Sequence, residues 1–128
     1  MTSSPFLNLV LNPWLNRFLF ISWAATIFYL SSLSRIASPN LFHFQDKFIH
    51  AIAYAALSFF LAGALQNIWL KEGRKKLLIT CLIVILYGIT DEWHQYYTPG
   101  RHADIYDVIA DAVGAVLGVW LFRQLTAK

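Results

Sequence analysis

Residues 87–118 read YGITDEWHQYYTPGRHADIYDVIADAVGAVLG. The uncharged runs on either side of their polar middle, 77–90 and 112–122, are 14 and 11 residues long, short of the roughly 20 apolar residues that a helix needs to span a bilayer. Each reaches that length only by taking in polar ends, residues 91–95 in one and 104–111 in the other. A helix starting near Asp104 would carry Asp111 about 10 Å inward at ~1.5 Å per residue. Ionisable groups at such depth are costly, so they face a protein interior or a water-filled cavity and have partners. The stretch therefore predicts two spanning helices, a Thr98-Pro99-Gly100 turn between them, and a polar site where their ends meet.

Working outward, residues 18–34 and 51–70 also lack charge. The chain is 58% hydrophobic and 13% charged, against about 25% charged in soluble domains. The fold class expected is all-α, an integral-membrane four-helix bundle. Its helices lie at about 15–33, 46–70, 75–96 and 104–123, within a single domain over residues 1–128. A soluble all-α domain is disfavoured, because four such segments in 128 residues leave too little polar surface. A cleaved secretory signal is disfavoured too, since no Lys or Arg precedes Arg17 and residues 31–35 make a poor cleavage site. Pro39-Asn40 and Glu72-Gly73-Arg74 supply turn chemistry for the other two loops. The single cysteine, Cys81, has no intrachain disulfide partner and reads as a packing residue.

With four spans, one side carries seven cations (Arg17, Lys71, Arg74, Lys75, Lys76, Arg123 and Lys128) and the other three (Arg35, Lys47 and Arg101). The positive-inside rule then makes the protein multi-pass in the cell membrane, with both termini cytoplasmic and His43 and Arg101 outside. The basic stretch at 71–76 is a topology signal meeting anionic lipid rather than a nucleic-acid site.

Six of the seven carboxylates and all four histidines lie at the outer helix ends. Asp46, His50 and Tyr54 repeat at four-residue spacing and share one helix face. Asp46 or Asp107 is expected to orient His50, and Asp46 also to cap its helix. Gly88, Glu92 and Gln95 share a side of the third helix, with Asp91 about 100° round, so one of the two acids is expected to face elsewhere. Asp104, Asp107, Asp111, Gly114 and Gly118 form one stripe, whose glycines permit close packing inside the bundle. Arg101 reads either as the neutralising partner of these carboxylates or as a clamp for a phosphate or carboxylate ligand. No cofactor is predicted. A divalent metal on histidine and carboxylates of facing helices is an alternative, with its ligands unknown, because no HExxH or cysteine pair supports it. Tyr54, Trp93, Tyr96 and Tyr97 read as part of an interfacial aromatic belt.

DKFIHAIAYAALSFFL at 46–61, followed by residues 87–118, resembles the VanZ-like family of bacterial membrane proteins. The family pattern is D-K-x-x-H-x-x-x-Y, then E-x-x-Q, a P-G-R turn and D-x-x-x-(N/D)-x-x-G-x-x-x-G. It falls on Asp46, Lys47, His50, Tyr54, Glu92, Gln95, Arg101, Asp107, Asp111, Gly114 and Gly118, over about residues 30–122. It omits Asp91, His94, His102 and Asp104, which are expected to be peripheral. Many relatives carry asparagine at the Asp111 position, so the resemblance implies a hydrogen-bonding role there. The family's named member is associated with low-level teicoplanin resistance.

Together these readings predict an envelope protein whose outward-facing site acts on or binds an amphiphilic molecule such as a lipid-linked precursor or a glycopeptide. If it is an enzyme, it is a hydrolase or transferase. His50, Glu92, Asp107 and Asp46 are then the catalytic candidates, and Arg101, Gln95, Lys47, Tyr54 and Asp111 the substrate-binding ones. The alternatives are a non-catalytic binding or structural module and a small oligomeric transporter. A transporter is disfavoured because 128 residues hold no inverted repeat.

Overall fold

The computed structural model describes residues 4–34, 42, 44–67 and 73–127. Its helices are α1 (Pro5–Val10), α2 (Pro13–Ser32), α3 (Gln45–Ala64), α4 (Gly73–Tyr96) and α5 (Ile105–Thr126). The described residues hold no strand. Pro39-Asn40, Glu72, Arg35, His43, Lys71 and Lys128, which carry part of the turn and orientation readings, lie outside the described residues.

Local chemistry sets the helix starts. Pro5 and Pro13 each open a helix with the fixed φ that suits its first turn. Ser4 Oγ accepts from Leu7 N at 3.2 Å, and Asn12 Oδ1 from Trp14 N and Leu15 N at 3.1 and 3.0 Å, satisfying amide groups that lack helical partners. These two caps create the unexpected short α1 and start α2 before residue 15. α3 begins after Phe44, whose backbone is left-handed at φ 69°, so Asp46 is not its cap. α3 also ends well before residue 70. Gln66 is drawn away, its side chain donating to Leu11 O while its carbonyl accepts from Lys76 Nζ at 2.8 Å.

α3 is the central element, in contact with α2, α4 and α5. Its closest partner is α5, because a Cβ on Gly114 would collide with the Ala51 carbonyl and one on Gly118 with the Ala55 carbonyl and Ser58 Oγ. Backbone thus meets backbone across the small stripe, inside the bundle as expected. Trp23 Nε1 donates to Ala53 O at 2.8 Å and Tyr87 Oη to Ala24 O at 2.7 Å. These bonds tie α2 to α3 and α4 around a core of Ile27, Tyr54, Leu57, Leu61, Val84 and Ala115.

The polarity is inverted relative to a water-soluble domain. Asn16, Ser58, Thr80, Asp91, Glu92, Gln95, Asp107 and Asp111 are buried, while Phe18, Ile21, Ile52, Leu78, Leu82, Val116 and Trp120 are exposed. α3, α4 and α5 are long and apolar enough to cross a membrane. α2 has 20 residues but carries Asn16 and Arg17 in its first turns and is not among those three.

Candidate functional site

Antiparallel packing brings the C-terminal ends of α2 and α4 to the N-terminal ends of α3 and α5, and the polar residues gather there. Lys47, in the first turn of α3, is the hub. Its Nζ lies 2.8 Å from Asp46 Oδ2, 2.6 Å from Asp104 Oδ2 and 2.6 Å from Asp107 Oδ1. The last contact is an ion pair by distance, off the direction of a hydrogen bond. Asp104 caps α5 through Oδ1, which accepts from Tyr106 N at 2.9 Å, and its own N–H donates to Glu92 Oε2 at 2.9 Å. The Lys47 ammonium, together with the Tyr106 N–H, holds the Asp104 carboxyl below its ordinary pKa.

One turn deeper, His50 Nδ1 lies 2.9 Å from Asp111 Oδ1, and Nε2 faces Asp107 Oδ2 at 4.0 Å. With Asp111 ionised, Nδ1 carries the proton, and in the neutral imidazole Nε2 then keeps a lone pair. Gly88 makes room for this pair, since a Cβ there would stand 2.8 Å from Asp111 Oδ2. His50, Glu92 and Asp107 each bring one donor atom within 4.8 Å of the others, the geometry of a candidate cation site.

On its other side His50 borders a cavity of about 270 Å³, together with Asp46, Tyr54, Asp91, Gln95 and Arg101 and the apolar Ile27, Leu30, Ile49 and Ala53. Asp91 Oδ2 accepts from Tyr54 Oη at 3.3 Å and from Gln95 Nε2 at 3.2 Å. Arg101 donates from Nε to Leu33 O and from Nη2 to Leu30 O, at 3.1 and 3.0 Å. It thereby closes the C-terminal end of α2, where free carbonyls favour a cation. A larger cavity of about 350 Å³ lies at the opposite end, lined by Arg74, Lys76 and Arg123 among others.

Several sequence expectations need correction. Neither Asp46 nor Asp107, whose Oδ2 stays 4.0 Å from Nε2, orients His50. The Asp46 side chain is 64% exposed and turned to Lys47, while the fully buried Asp111 holds the imidazole. Arg101 does not neutralise the carboxylates; Lys47 does, because α2 draws the guanidinium to its open carbonyls. Asp91 and Glu92 both point inward, each 4% exposed. The end of α4 is covered on both sides, so an arc wider than the separation of two adjacent residues is buried. Nor are Asp91 and Asp104 peripheral. The i, i+4 spacing of Asp91 and Gln95 and the shared stripe of Asp104, Asp107 and Asp111 were the signals for them. His94 does lie to one side, against Ser32 Oγ at 2.9 Å and the Phe28 ring, and His102 is exposed.

Four carboxylates, Asp91, Glu92, Asp107 and Asp111, are thus buried at this end of the helices, and of these only Asp107 pairs with the Lys47 ammonium. Asp91 Oδ1, Glu92 Oε1 and Asp111 Oδ2 are enclosed with no hydrogen-bond partner among the described residues. Such an excess of buried negative charge is stable only with bound protons or a further cation.

No curated protein and no solved structure matches the chain. A family model described as VanZ/LLP1 matches residues 2–126. With its D-K-x-x-H, E-x-x-Q and P-G-R motifs gathered at one end of apolar helices, the chain belongs to the VanZ/LLP1 family.

Proposed function

We propose that α2–α5 form a four-helix bundle across the cell membrane, both termini cytoplasmic. In this reading the polar end of the bundle receives the headgroup of an amphiphilic envelope molecule, such as a lipid-linked precursor, for hydrolysis or group transfer at a phosphate or acyl bond. One observation carries it. The cavity joins an apolar wall of Ile27, Leu30, Ile49 and Ala53 to His50, Asp91 and Gln95, so a single pocket offers chain-compatible and headgroup-compatible surfaces. His50 stands where this pocket meets the carboxylate cluster, its orientation fixed by Asp111. Glu92 and Asp107 are the acids beside it. A link to teicoplanin-type resistance would follow if the molecule handled belongs to cell-wall assembly.

Purified protein incubated with total envelope lipid extract tests this, with mass spectrometry of lipids and released groups. Wild type is expected to convert at least one lipid species. His50→Ala and Glu92→Gln should lose conversion by at least about 100-fold, the scale of a lost acid–base group, while keeping a cooperative melting transition. Full conversion by the folded variants would sink the enzymatic reading. The competing non-catalytic binding module is supported by Arg101, which borders the pocket but gives its Nε and Nη2 hydrogens to α2 carbonyls. It predicts lipid that co-purifies unconverted and a loss of retention in Tyr54→Leu.

Orientation has its own test. Thr98 is buried, so a labelling cysteine belongs at the exposed Ala103, with Arg74→Cys for the opposite end and Cys81→Ser as background. In intact spheroplasts an impermeant maleimide should label position 103 and spare position 74, as the distribution of cations requires. The reverse pattern would place the site in the cytoplasm.

A further inference from the structure

We propose that His50, Glu92 and Asp107 form a binding site for one divalent transition-metal cation of the Zn²⁺ or Mn²⁺ class. In each of the three residues one polar atom is engaged and the other is available. His50 Nδ1 is bonded to Asp111 Oδ1 at 2.9 Å, leaving Nε2. Glu92 Oε2 accepts the Asp104 amide at 2.9 Å, leaving Oε1 enclosed without a hydrogen-bond partner among the described residues. Asp107 Oδ1 pairs with Lys47 at 2.6 Å, leaving Oδ2, which faces His50 Nε2 at 4.0 Å.

That last separation is too long for a hydrogen bond. It suits two donors on one ion, which sit roughly 3–4 Å apart when each bond is about 2.0–2.2 Å. Three helices supply the donors, so the site is set by the fold rather than by one flexible segment. Asp111 stands behind His50 as carboxylates stand behind metal-binding imidazoles, fixing the tautomer and raising the basicity of Nε2. One imidazole with two carboxylates favours Zn²⁺ or Mn²⁺ over Mg²⁺ or Ca²⁺, whose shells are built of oxygen. A dication also supplies positive charge beside the enclosed Glu92 Oε1, since among the donors Lys47 meets only Asp107. Three protein donors leave a coordination position for water or a substrate oxygen.

Binding is independent of the proposed function, whereas the use of the ion to activate water rests on it. The test is stoichiometric titration of the chelator-stripped, detergent-purified protein with Zn²⁺, Mn²⁺ and, as a chromophoric stand-in, Co²⁺. One ion per chain is expected, with visible Co²⁺ bands and a raised melting temperature. Glu92→Gln and Asp107→Asn should abolish the bands, and Asp111→Asn should weaken affinity by about 10–100-fold as a positioning residue. His102→Ala should bind as wild type. Pulsed EPR of wild type loaded with Mn²⁺ needs no variant and should show coupling to a single imidazole nitrogen. The absence of that coupling, a failure of wild type to take up any of the three ions, or unchanged binding by folded Glu92→Gln would each overturn the site. Metal bound without lipid conversion would overturn the proposed function and leave the site standing. Lipid conversion without metal would do the opposite.

Discussion

Gly118→Val is expected to give the largest loss of stability of any single substitution in the bundle. A Cβ at this position already meets the Ala55 carbonyl and Ser58 Oγ, and valine adds two methyl groups to it. Overpacking commonly costs about 1–3 kcal/mol when side chains can shift. Here the obstacle is the main chain of α3, held in turn by its own helical hydrogen bonds, so the helices must part. That separates α3 from its principal partner and drags His50 away from Asp111. The loss should reach or exceed the upper end of that range, read as a collapse of the melting transition in detergent and of monodisperse protein on gel filtration. Gly73→Ala is the contrast. Among the described residues nothing lies within 4 Å of its Cβ position, so alanine there should leave the melting transition in place. Equal behaviour of the two variants would mean that the α3–α5 contact is not the close one described.

Lys47→Met should produce the second-largest effect. It removes the ammonium that touches Asp46, Asp104 and Asp107 and leaves the 90%-buried Asp107 side chain without compensation. Breaking a buried pair by deleting one partner costs about 3–5 kcal/mol. The lower end is expected, because the Lys47 side chain remains 21% exposed. Adding Asp107→Asn should restore much of the loss by removing the orphaned charge, and a double variant no better than Lys47→Met would refute the pairing. The sign of the pH dependence follows from Asp104, whose carboxyl is held below its ordinary pKa chiefly by Lys47. Its contribution is present above the ordinary carboxylate pKa of about 4 and fades as pH falls through the depressed value. The gap in melting temperature between wild type and Lys47→Met should therefore narrow in acid.

The sequence by itself determined the four long helices to within their ends, the gathering of the polar residues at one end, and the intramolecular packing of the Gly114–Gly118 stripe. Each of these depends on periodicity along one segment. Hydropathy fixes the segments, and 3.6 residues per turn fixes which side chains share a face. The same logic placed His50, Glu92 and Asp107 at matching helix ends, and the structure brings them within 4.8 Å of one another.

What only the tertiary structure decided is who partners whom. Asp111 rather than Asp46 holds His50, Lys47 rather than Arg101 neutralises the acids, and Asp91 joins Glu92 inside. Spacing gives an angle about a helix axis, but a partner depends on how far apart the axes stand and how the helices are rotated against each other. Those quantities follow from backbone contact at Gly114 and Gly118, from Gly88 making room for Asp111, and from the α2 carbonyls that capture Arg101. All three are contacts between segments distant in sequence, and no periodicity within one segment encodes them.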